Sequence, residues 1–246
     1  MNRFFVEPSA ISDTSVIVPS AVSSQIHRVL RLKDGEKVQF LDNSGWVYDC
    51  EIHYSENDSV SALILNKHFS DTEPNCRISL YIALTQREKF EWILQKCTEA
   101  GIARIVPMIT ERTLIRKASD ISGKLDRWEK ILKEAAEQCG RGQIPEITPA
   151  ITFEKACTDG KDSDIAFFCW EAEKQNSLHE AISPIRDNAS EISIMIGPEG
   201  GFSDEEAKKA LQNGWKAVTL GKRIYRMETA AMAAVILTLY EIEQSE

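Results

Sequence analysis

The sequence lacks any apolar run long enough to cross a membrane. Its longest such stretch, AAMAAVIL, is less than half the length of about 20 residues that a transmembrane helix needs. The opening segment, MNRFFVEPSA, also lacks an apolar core of signal-peptide length. We therefore expect a cytoplasmic protein without a membrane partner.

Closely spaced cysteine pairs of the C-x-x-C type are also missing. The chain has six cysteines, and they lie far apart: Cys50, Cys76, Cys97, Cys139, Cys157 and Cys169. Zinc sites and disulfide frameworks usually show characteristic short spacings. We expect buried thiols in a reducing compartment and no metal cofactor.

The fingerprints of nucleotide-binding loops, G-x-x-x-x-G-K-[ST] and G-x-G-x-x-G, are absent as well. The glycine-rich segment IGPEGGFSDEE, residues 196–206, nevertheless follows an apolar run and precedes a predicted helix. Its glycines fit a tight strand-to-helix turn or the close approach of a ligand to the main chain. Glu199 would repel a polyphosphate. A ligand with hydroxyl groups, a purine ring and positive charge fits this loop better than a nucleoside triphosphate, which disfavours a nucleotide hydrolase.

Positive charge is scarce overall, because the formal net charge is -9. Nucleic-acid binding generally requires a basic surface. Residues 1–33 nevertheless carry four basic and two acidic side chains, and residues 104–143 carry nine basic and six acidic ones. A local basic face therefore remains compatible with the composition.

The pattern of the chain predicts two domains. Residues 1–72 read as short strands joined by the turns DNSG and SENDS, with a short helix from Ser20, and this pattern is typical of a small β-barrel. Ile26, Val29 and Leu30 should share the inner face of that helix. The stretch DTEPN, residues 71–75, is the linker candidate.

Residues 73–246 alternate strand and helix, which predicts an α/β domain with a mainly parallel sheet. Predicted strands include RISLYIALT, ARIVPMI, DIAFFCW, EISIMIG and WKAVTLG. In the helix EKFEWILQKCTEAG, apolar side chains keep helical spacing and Gly101 can close the last turn. Ser203 and Glu206 have the spacing of a capping box.

A second loop, LGKRIYRMETAA, also follows a predicted strand. Lys222, Arg223 and Arg226 precede the final helix, although positive charge at a helix start is unfavourable. Glu228 in the first turn is accounted for by the helix dipole, which favours acidic side chains there. Open α/β sheets bind ligands at the carboxyl ends of their strands, and an anion should approach these cations.

The two loops together resemble the C-terminal signature of the RsmE-type ribosomal RNA methyltransferases of the SPOUT class. The resemblance continues through RFFV, HRVLRLKDGEKVQFLDNSG, EWILQKCTEAGIARIVPMITERT and EAAEQCGRGQIPEI. It implies a PUA-like β-barrel over 1–72 that docks RNA, a knotted SPOUT α/β domain over 73–246 with a trefoil knot, and a homodimer. The implied activity is transfer of a methyl group from S-adenosylmethionine to ring nitrogen 3 of a decoding-region uridine in the 16S rRNA of the small ribosomal subunit, which leaves S-adenosylhomocysteine.

The same resemblance implies the site residues. Those expected around the cofactor are Ile196, Gly197, Pro198, Glu199, Gly200, Leu220, Gly221, Ile224, Tyr225, Met227 and Thr229, with Trp170 and Glu171 as a third wall. The family usually has Leu and Thr at the positions of Tyr225 and Met227.

Catalysis and the docking of RNA are assigned to other side chains. Arg226 should stabilise the developing uracil anion, and Glu228 should orient Arg226 or accept the proton; a salt bridge across the dimer is the alternative for Arg226. The main RNA-docking candidates are Arg3, His27, Arg28 and Arg31, with Arg112, Arg116 and Arg141 secondary. The remaining alternatives are a SPOUT methyltransferase acting on another RNA, such as tRNA, and a non-catalytic ribosome assembly factor.

Overall fold

A computed structural model describes residues 1–55, 60–115 and 123–243 of the chain. Residues 56–59 of the predicted SENDS turn, and Arg116, lie outside the described residues. The chain divides into two compact units, and the first is discontinuous in sequence. Unit 1 consists of Met1–Glu73 and Ala136–Ile144, and unit 2 of Pro74–Ala135 and Pro145–Glu246.

Unit 1 contains a five-stranded sheet with the strand order β1-β3-β4-β5-β2. Its strands are β1 (Asn2–Phe5), β2 (Ser15–Ile17), β3 (Lys37–Leu41), β4 (Trp46–Tyr54) and β5 (Val60–Phe69). The β1–β3 pair is parallel, and the other three pairs are antiparallel. The predicted DNSG turn between β3 and β4 is confirmed: Asn43 and Gly45 have positive φ, and Asp42 Oδ1 accepts a hydrogen bond from the Ser44 amide.

The helix predicted from Ser20 is present, but its inner face is not the expected one. Helix α1 (Ser20–Ser24) continues into a π-helical segment, Gln25–Leu30, that ends at Arg31 with φ of 54°. Ile26 is fully buried, whereas Val29 is 72% exposed. The prediction for Val29 was wrong because π-helical winding advances fewer degrees per residue than the α-helical period that it assumed. Leu30, the last residue of the segment, is also exposed, at 37%.

The discontinuous segment of unit 1 supplies both apolar and ionic contacts to that unit. Ala136 and Ile144 pack with Phe5, Leu41 and Val47. The buried Arg141 guanidinium donates to Glu73 Oε2 over 2.6 Å, and the amides of the next two residues donate to Glu73 Oε1. Arg141 therefore stabilises unit 1 from within. Its RNA contact stays a prediction, and its buried guanidinium is bound to Glu73.

Unit 2 is built on a seven-stranded sheet in which every described pairing is parallel. The strand order is β12-β10-β11-β6-β7-β8, and β9 also pairs with β7. The strands are β6 (Arg77–Ala83), β7 (Arg104–Ile109), β8 (Glu146–Ile147), β9 (Ile151–Thr152), β10 (Ile165–Cys169), β11 (Glu191–Ile196) and β12 (Lys216–Val218). The predicted α/β class with a parallel sheet is confirmed.

Unit 2 also contains α2 (Arg87–Glu99), most of α3 (Leu125–Cys139), α4 (Phe153–Asp159), α5 (Leu178–Ile182), α6 (Asp204–Gln212) and α7 (Met227–Glu243). The end of α3, from Ala136 onwards, belongs to unit 1. In α2, the predicted core residues Phe90, Ile93, Leu94 and Cys97 are all buried. Gly101 has φ of 100°, and its amide bonds the Thr98 carbonyl, as expected of a residue that closes a helix.

All six cysteines carry free thiols, and four of them are buried. Cys139 and Cys169 are partly exposed, so the expectation of burial holds for the remaining four. Within the described ranges, no helix is both long enough and apolar enough to span a bilayer.

The Glu73–Arg141 ion pair yields a test of stability. Glu73→Gln removes the negative charge beside a buried guanidinium, so we expect the free energy of unfolding to fall by about 3 kcal/mol. Asp159→Asn is the matched control, because Asp159 pairs with Lys155, whose side chain is 61% exposed; its effect should stay below about 0.5 kcal/mol. Urea unfolding followed by circular dichroism measures both, and equal losses would contradict this account.

Candidate active site

A cavity of about 590 Å³ lies at the carboxyl ends of three neighbouring strands of unit 2. Strands β10, β11 and β12 end at Cys169, Ile196 and Val218, and all three terminal residues line the cavity. This edge is where open parallel sheets bind ligands. Its volume also falls in the range typical of small-molecule sites.

The structure brings nearly all predicted cofactor residues together around this cavity. The lining includes Ile196, Gly197, Pro198, Glu199, Gly200, Leu220, Gly221, Ile224, Tyr225 and Met227, together with Trp170, Glu171, Arg226 and Glu228. Thr229 is not among the lining residues. Lys89 and Lys174 line the cavity without having been predicted, and the signal for Lys89 was its place in the first turn of the helix that follows β6.

The first loop, residues 197–201, needs glycine at two positions for different reasons. Gly201 has φ of 68°, and a Cβ there would lie 2.1 Å from Glu171 Oε1. A Cβ on Gly197 would lie 2.7 Å from the Phe202 ring. The main chain of this loop can therefore take its conformation only with glycine at these two positions, because a larger residue there would force it to shift. The loop in this conformation forms one wall of the cavity.

The carboxylate of Glu199 is held by the residues that follow β6. It accepts hydrogen bonds from Thr85 Oγ1 and from Lys89 Nζ, the latter over 3.0 Å. Burial opposes ionisation of Glu199, but these hydrogen bonds outweigh it and lower its pKa below the ordinary value of 4.5. The Glu199 side chain therefore anchors the loop, and the loop's main chain is left to face the cavity.

A second anchor comes from the segment after β7. Arg112 Nη1 donates to the Gly200 carbonyl over 2.8 Å and to the Phe202 carbonyl over 3.4 Å. The Glu111 amide donates to Glu206 Oε1 over 2.8 Å. The predicted capping box of Ser203 and Glu206 is present. Arg112, expected as a secondary RNA contact, thus uses its guanidinium to hold the glycine loop.

The opposite wall is the second loop, residues 219–226, which leads into α7. Gly221 has φ of 120°, and its amide and carbonyl both bond to the Thr219 hydroxyl. Met227 is buried, whereas the Ile224 side chain is 79% exposed. The loop thus presents main chain and exposed side chains to the cavity, whereas Met227, the first residue of α7, is buried.

Arg226 and Glu228, the predicted catalytic pair, both line the cavity, but no ion pair joins the two side chains. Arg226 is exposed, and its carbonyl accepts the first hydrogen bond of α7, from the Ala230 amide. Glu228 Oε2 is buried and has no hydrogen-bond partner within the described part of the chain. A buried carboxylate oxygen without a donor is costly, so this geometry favours a ligand group that donates to Glu228.

A nucleophilic cysteine is not available at this site. Although Cys169 as a residue is partly exposed, desolvation of its thiol raises the pKa of that thiol to about 12, so the thiol stays protonated at neutral pH. Among the described residues, no group of three or more side chains is arranged to hold a metal ion.

Most of the predicted RNA-docking residues lie on the surface of unit 1. His27, Arg28 and Arg31 are exposed, and the His27 ring lies 5.5 Å from that of Tyr54. Arg3 is half-buried, and its Nε donates to Gln39 Oε1 over 2.7 Å. The π-helical segment therefore presents the group of cations that the sequence predicted, and Arg3 is partly committed to the sheet.

Comparison with known proteins identifies the family of this chain. Residues 72–239 match the model of the RNA methyltransferase domain family. The chain belongs to that family. A curated relative, the ribosomal RNA small subunit methyltransferase E of Synechocystis, is 30% identical over 233 residues, which cover 95% of this chain and 75% of the relative.

Two further relatives cover nearly the whole chain. The ribosomal RNA small subunit methyltransferase E of Bacillus subtilis is 27% identical over 99% of this chain and 98% of its own. The crystal structure of the enzyme of the same name from Neisseria gonorrhoeae, bound to S-adenosyl methionine, has a TM-score of 0.87 at 29% identity and covers 98% of this chain and 97% of its own. The resemblance inferred from the two loops is confirmed, and the chain is an RNA methyltransferase.

The ion pair that anchors the glycine loop predicts a pH dependence. The pKa of Glu199 is lowered in the folded state, so the anchor is present at neutral pH and is lost as the pH falls below 4.5. Lys89→Gln should raise the pKa of Glu199 toward 4.5. Lys96→Gln, which removes a partner of Glu99 instead, should leave it unchanged. Carboxyl-carbon NMR titration measures both, and an unshifted Glu199 in Lys89→Gln would refute the anchor.

Proposed function

We propose that this RNA methyltransferase uses S-adenosylmethionine to methylate ring nitrogen 3 of a decoding-region uridine in 16S rRNA, acting on the small ribosomal subunit. The observation that carries the proposal is the cavity that both signature loops form at the carboxyl ends of β10, β11 and β12. The S-adenosyl methionine in the Neisseria gonorrhoeae relative supports the choice of cofactor.

The residues present fit that cofactor. The main chain of residues 197–200 and 220–221 is accessible to an adenosine moiety, because the glycines leave it uncovered. Glu228 Oε2 is a buried acceptor without a donor in the part of the chain that the structure describes. The cofactor's ammonium, the uracil N–H and an intervening water all carry donors. When bound, the cofactor supplies an electrophilic methyl group on a sulfonium centre.

The protein's contribution to the reaction is positioning and charge stabilisation. Uracil holds its ring proton near neutral pH, so nitrogen 3 must lose that proton before or during attack. Arg226, exposed at the cavity wall, stabilises the negative charge that develops on the uracil carbonyl oxygens. We assign Glu228 as the proton acceptor rather than as a group that orients Arg226, because no ion pair joins the two side chains and Glu228 Oε2 has no hydrogen-bond partner among the described residues. The two loops align the methyl donor and the uridine for in-line displacement.

The small unit supplies RNA docking in this proposal. We assign it as a PUA-like barrel that contacts phosphates through His27, Arg28 and Arg31. Exposure of this group on one short segment supports the assignment. The substrate would place the enzyme in the cytoplasm with the ribosome.

We further propose that the α/β domain is a knotted SPOUT fold and that the enzyme is a homodimer. Helix α7 leaves three large apolar side chains substantially exposed, those of Ile236, Leu237 and Tyr240, and their spacing places them on one face. A second copy would cover this face. Sedimentation equilibrium should give twice the chain mass of 27.7 kDa, and a monomer at micromolar concentration would disprove the dimer.

The function is tested by methyl transfer from labelled S-adenosylmethionine to small subunits that lack the modification, followed by nucleoside analysis. We expect 3-methyluridine in the 16S rRNA. Label in tRNA alone would identify a different RNA substrate. Cofactor binding without transfer to any RNA would support a non-catalytic assembly factor instead.

The role of Arg226 is tested by replacement. Arg226→Ala should reduce turnover at least about 100-fold, since removal of one charge-stabilising donor typically has effects of this size. Cofactor affinity should change less than threefold. Calorimetry and single-turnover methyl transfer measure the two quantities. A parallel loss of cofactor binding would show that Arg226 holds the cofactor rather than the developing anion.

A further inference from the structure

The side chains that line the cavity carry an excess of positive charge. Five are cationic and three are acidic, which gives a local formal charge of +2 in a chain whose total is -9. The cations are Lys89, Lys174, Lys222, Arg223 and Arg226, and the acids are Glu171, Glu199 and Glu228. The positive charge of the cavity lining is therefore opposite in sign to the net charge of the whole chain.

Two of these cations have local protein partners. Lys89 forms an ion pair with Glu199, and Lys174 Nζ donates to the main-chain carbonyl of Glu171. Lys222 and Arg223 differ, because both are exposed and neither forms an ion pair with a residue that the structure describes. Among the described residues, Arg223 Nη2 reaches only the Tyr225 hydroxyl, over 3.5 Å.

No side chain that the structure describes offsets the charge of these two residues, which are adjacent in sequence and repel each other. They precede Met227, the first residue of the 17-residue helix α7, by five and four residues, on the side where the helix dipole disfavours cations. The one acidic side chain in the first turn of α7 is Glu228. A bound anion would relieve this repulsion, and the described protein groups do not supply one.

The proposed cofactor does not neutralise the loop either. S-adenosylmethionine carries a sulfonium, an ammonium and a carboxylate at neutral pH, which gives a net charge of +1. Its binding would make the site more positive. The second substrate can supply the missing negative charge, because an RNA strand carries one charge per phosphate.

We propose that Lys222 and Arg223 form a phosphate subsite that binds the RNA backbone beside the target nucleotide. This inference rests on the proposed function and extends it, because it assigns RNA contacts to the α/β domain as well as to the small unit. Lys222 supplies a compact charge, and Arg223 offers a planar fork that suits phosphate oxygens. The pair would hold the strand at the cavity while the base enters it.

The test is the salt dependence of RNA binding by the full-length protein. A fluorescently labelled RNA with the sequence of the decoding region is titrated at several salt concentrations, with Lys222→Gln/Arg223→Gln compared with the wild type. Two lost phosphate contacts should lower the magnitude of the slope of log K against log salt by about 1.4, as expected for single-stranded RNA. Affinity at physiological salt should fall about tenfold, and cofactor affinity should change less than twofold.

Matched variants separate a phosphate subsite from a general loss of surface charge. Lys222→Arg/Arg223→Lys preserves both charges and should restore the salt slope. Lys208→Gln removes an exposed cation of α6 that does not line the cavity, and it should have no effect.

Three outcomes would overturn the proposal. An unchanged slope of log K against log salt in the double variant would show that Lys222 and Arg223 do not contact phosphates. Weakened cofactor binding with an unchanged slope would assign the pair to the cofactor's carboxylate. A wild-type protein that neither binds this RNA nor transfers a methyl group would refute the proposed function together with the subsite, whereas loss of the subsite alone leaves wild-type methyl transfer intact.

Discussion

The shape of the cavity wall depends on one buried carboxylate, that of Glu206. Its Oε2 accepts the Ser203 amide over 3.0 Å, and its Oε1 accepts the Glu111 amide over 2.8 Å. The negative charge also lies in the first turn of α6, where the helix dipole favours it. Because this one group fixes both the start of α6 and the segment after β7, Arg112 is in place to hold the Gly200 carbonyl. The glycine loop is thus anchored at its far end and, through Glu199, at its middle.

This anchoring explains how a loop with so little side chain forms a defined surface. Glycines allow the main chain to approach a ligand, but they also make an isolated loop costly to order. Here the ordering comes from side chains outside the loop, chiefly Thr85, Lys89 and Arg112. A cavity whose wall is held in place before a ligand arrives loses less conformational entropy on binding.

Local patterns predicted much of the fold and less of the site. The alternation of strand and helix identified the parallel sheet, and the spacing of Ser203 and Glu206 identified the cap of α6, because both depend on neighbouring residues. Strand β1 pairs with β3 across more than thirty residues, and the burial of Arg141 depends on Glu73; neither could be read from local spacing. The two signature loops identified the cavity residues, but the partners of Glu199 and Arg112 became apparent only in three dimensions. The buried face of the segment Gln25–Leu30 was predicted wrongly because its sequence carries no signal that distinguishes a π-helix from an α-helix.

The discontinuity of unit 1 has a consequence for the order in which the chain folds during synthesis. The small sheet receives Ala136 and Ile144 into its core, and Glu73 receives Arg141, only from the segment that ends at residue 144. When Glu73 leaves the ribosome, the sheet therefore still lacks part of its packing and the partner of a partly buried carboxylate. Strands β6 and β7 and helices α2 and α3 must emerge before the first unit is complete. The N-terminal unit thus matures after the first half of the α/β unit has been made, although its own chain begins earlier.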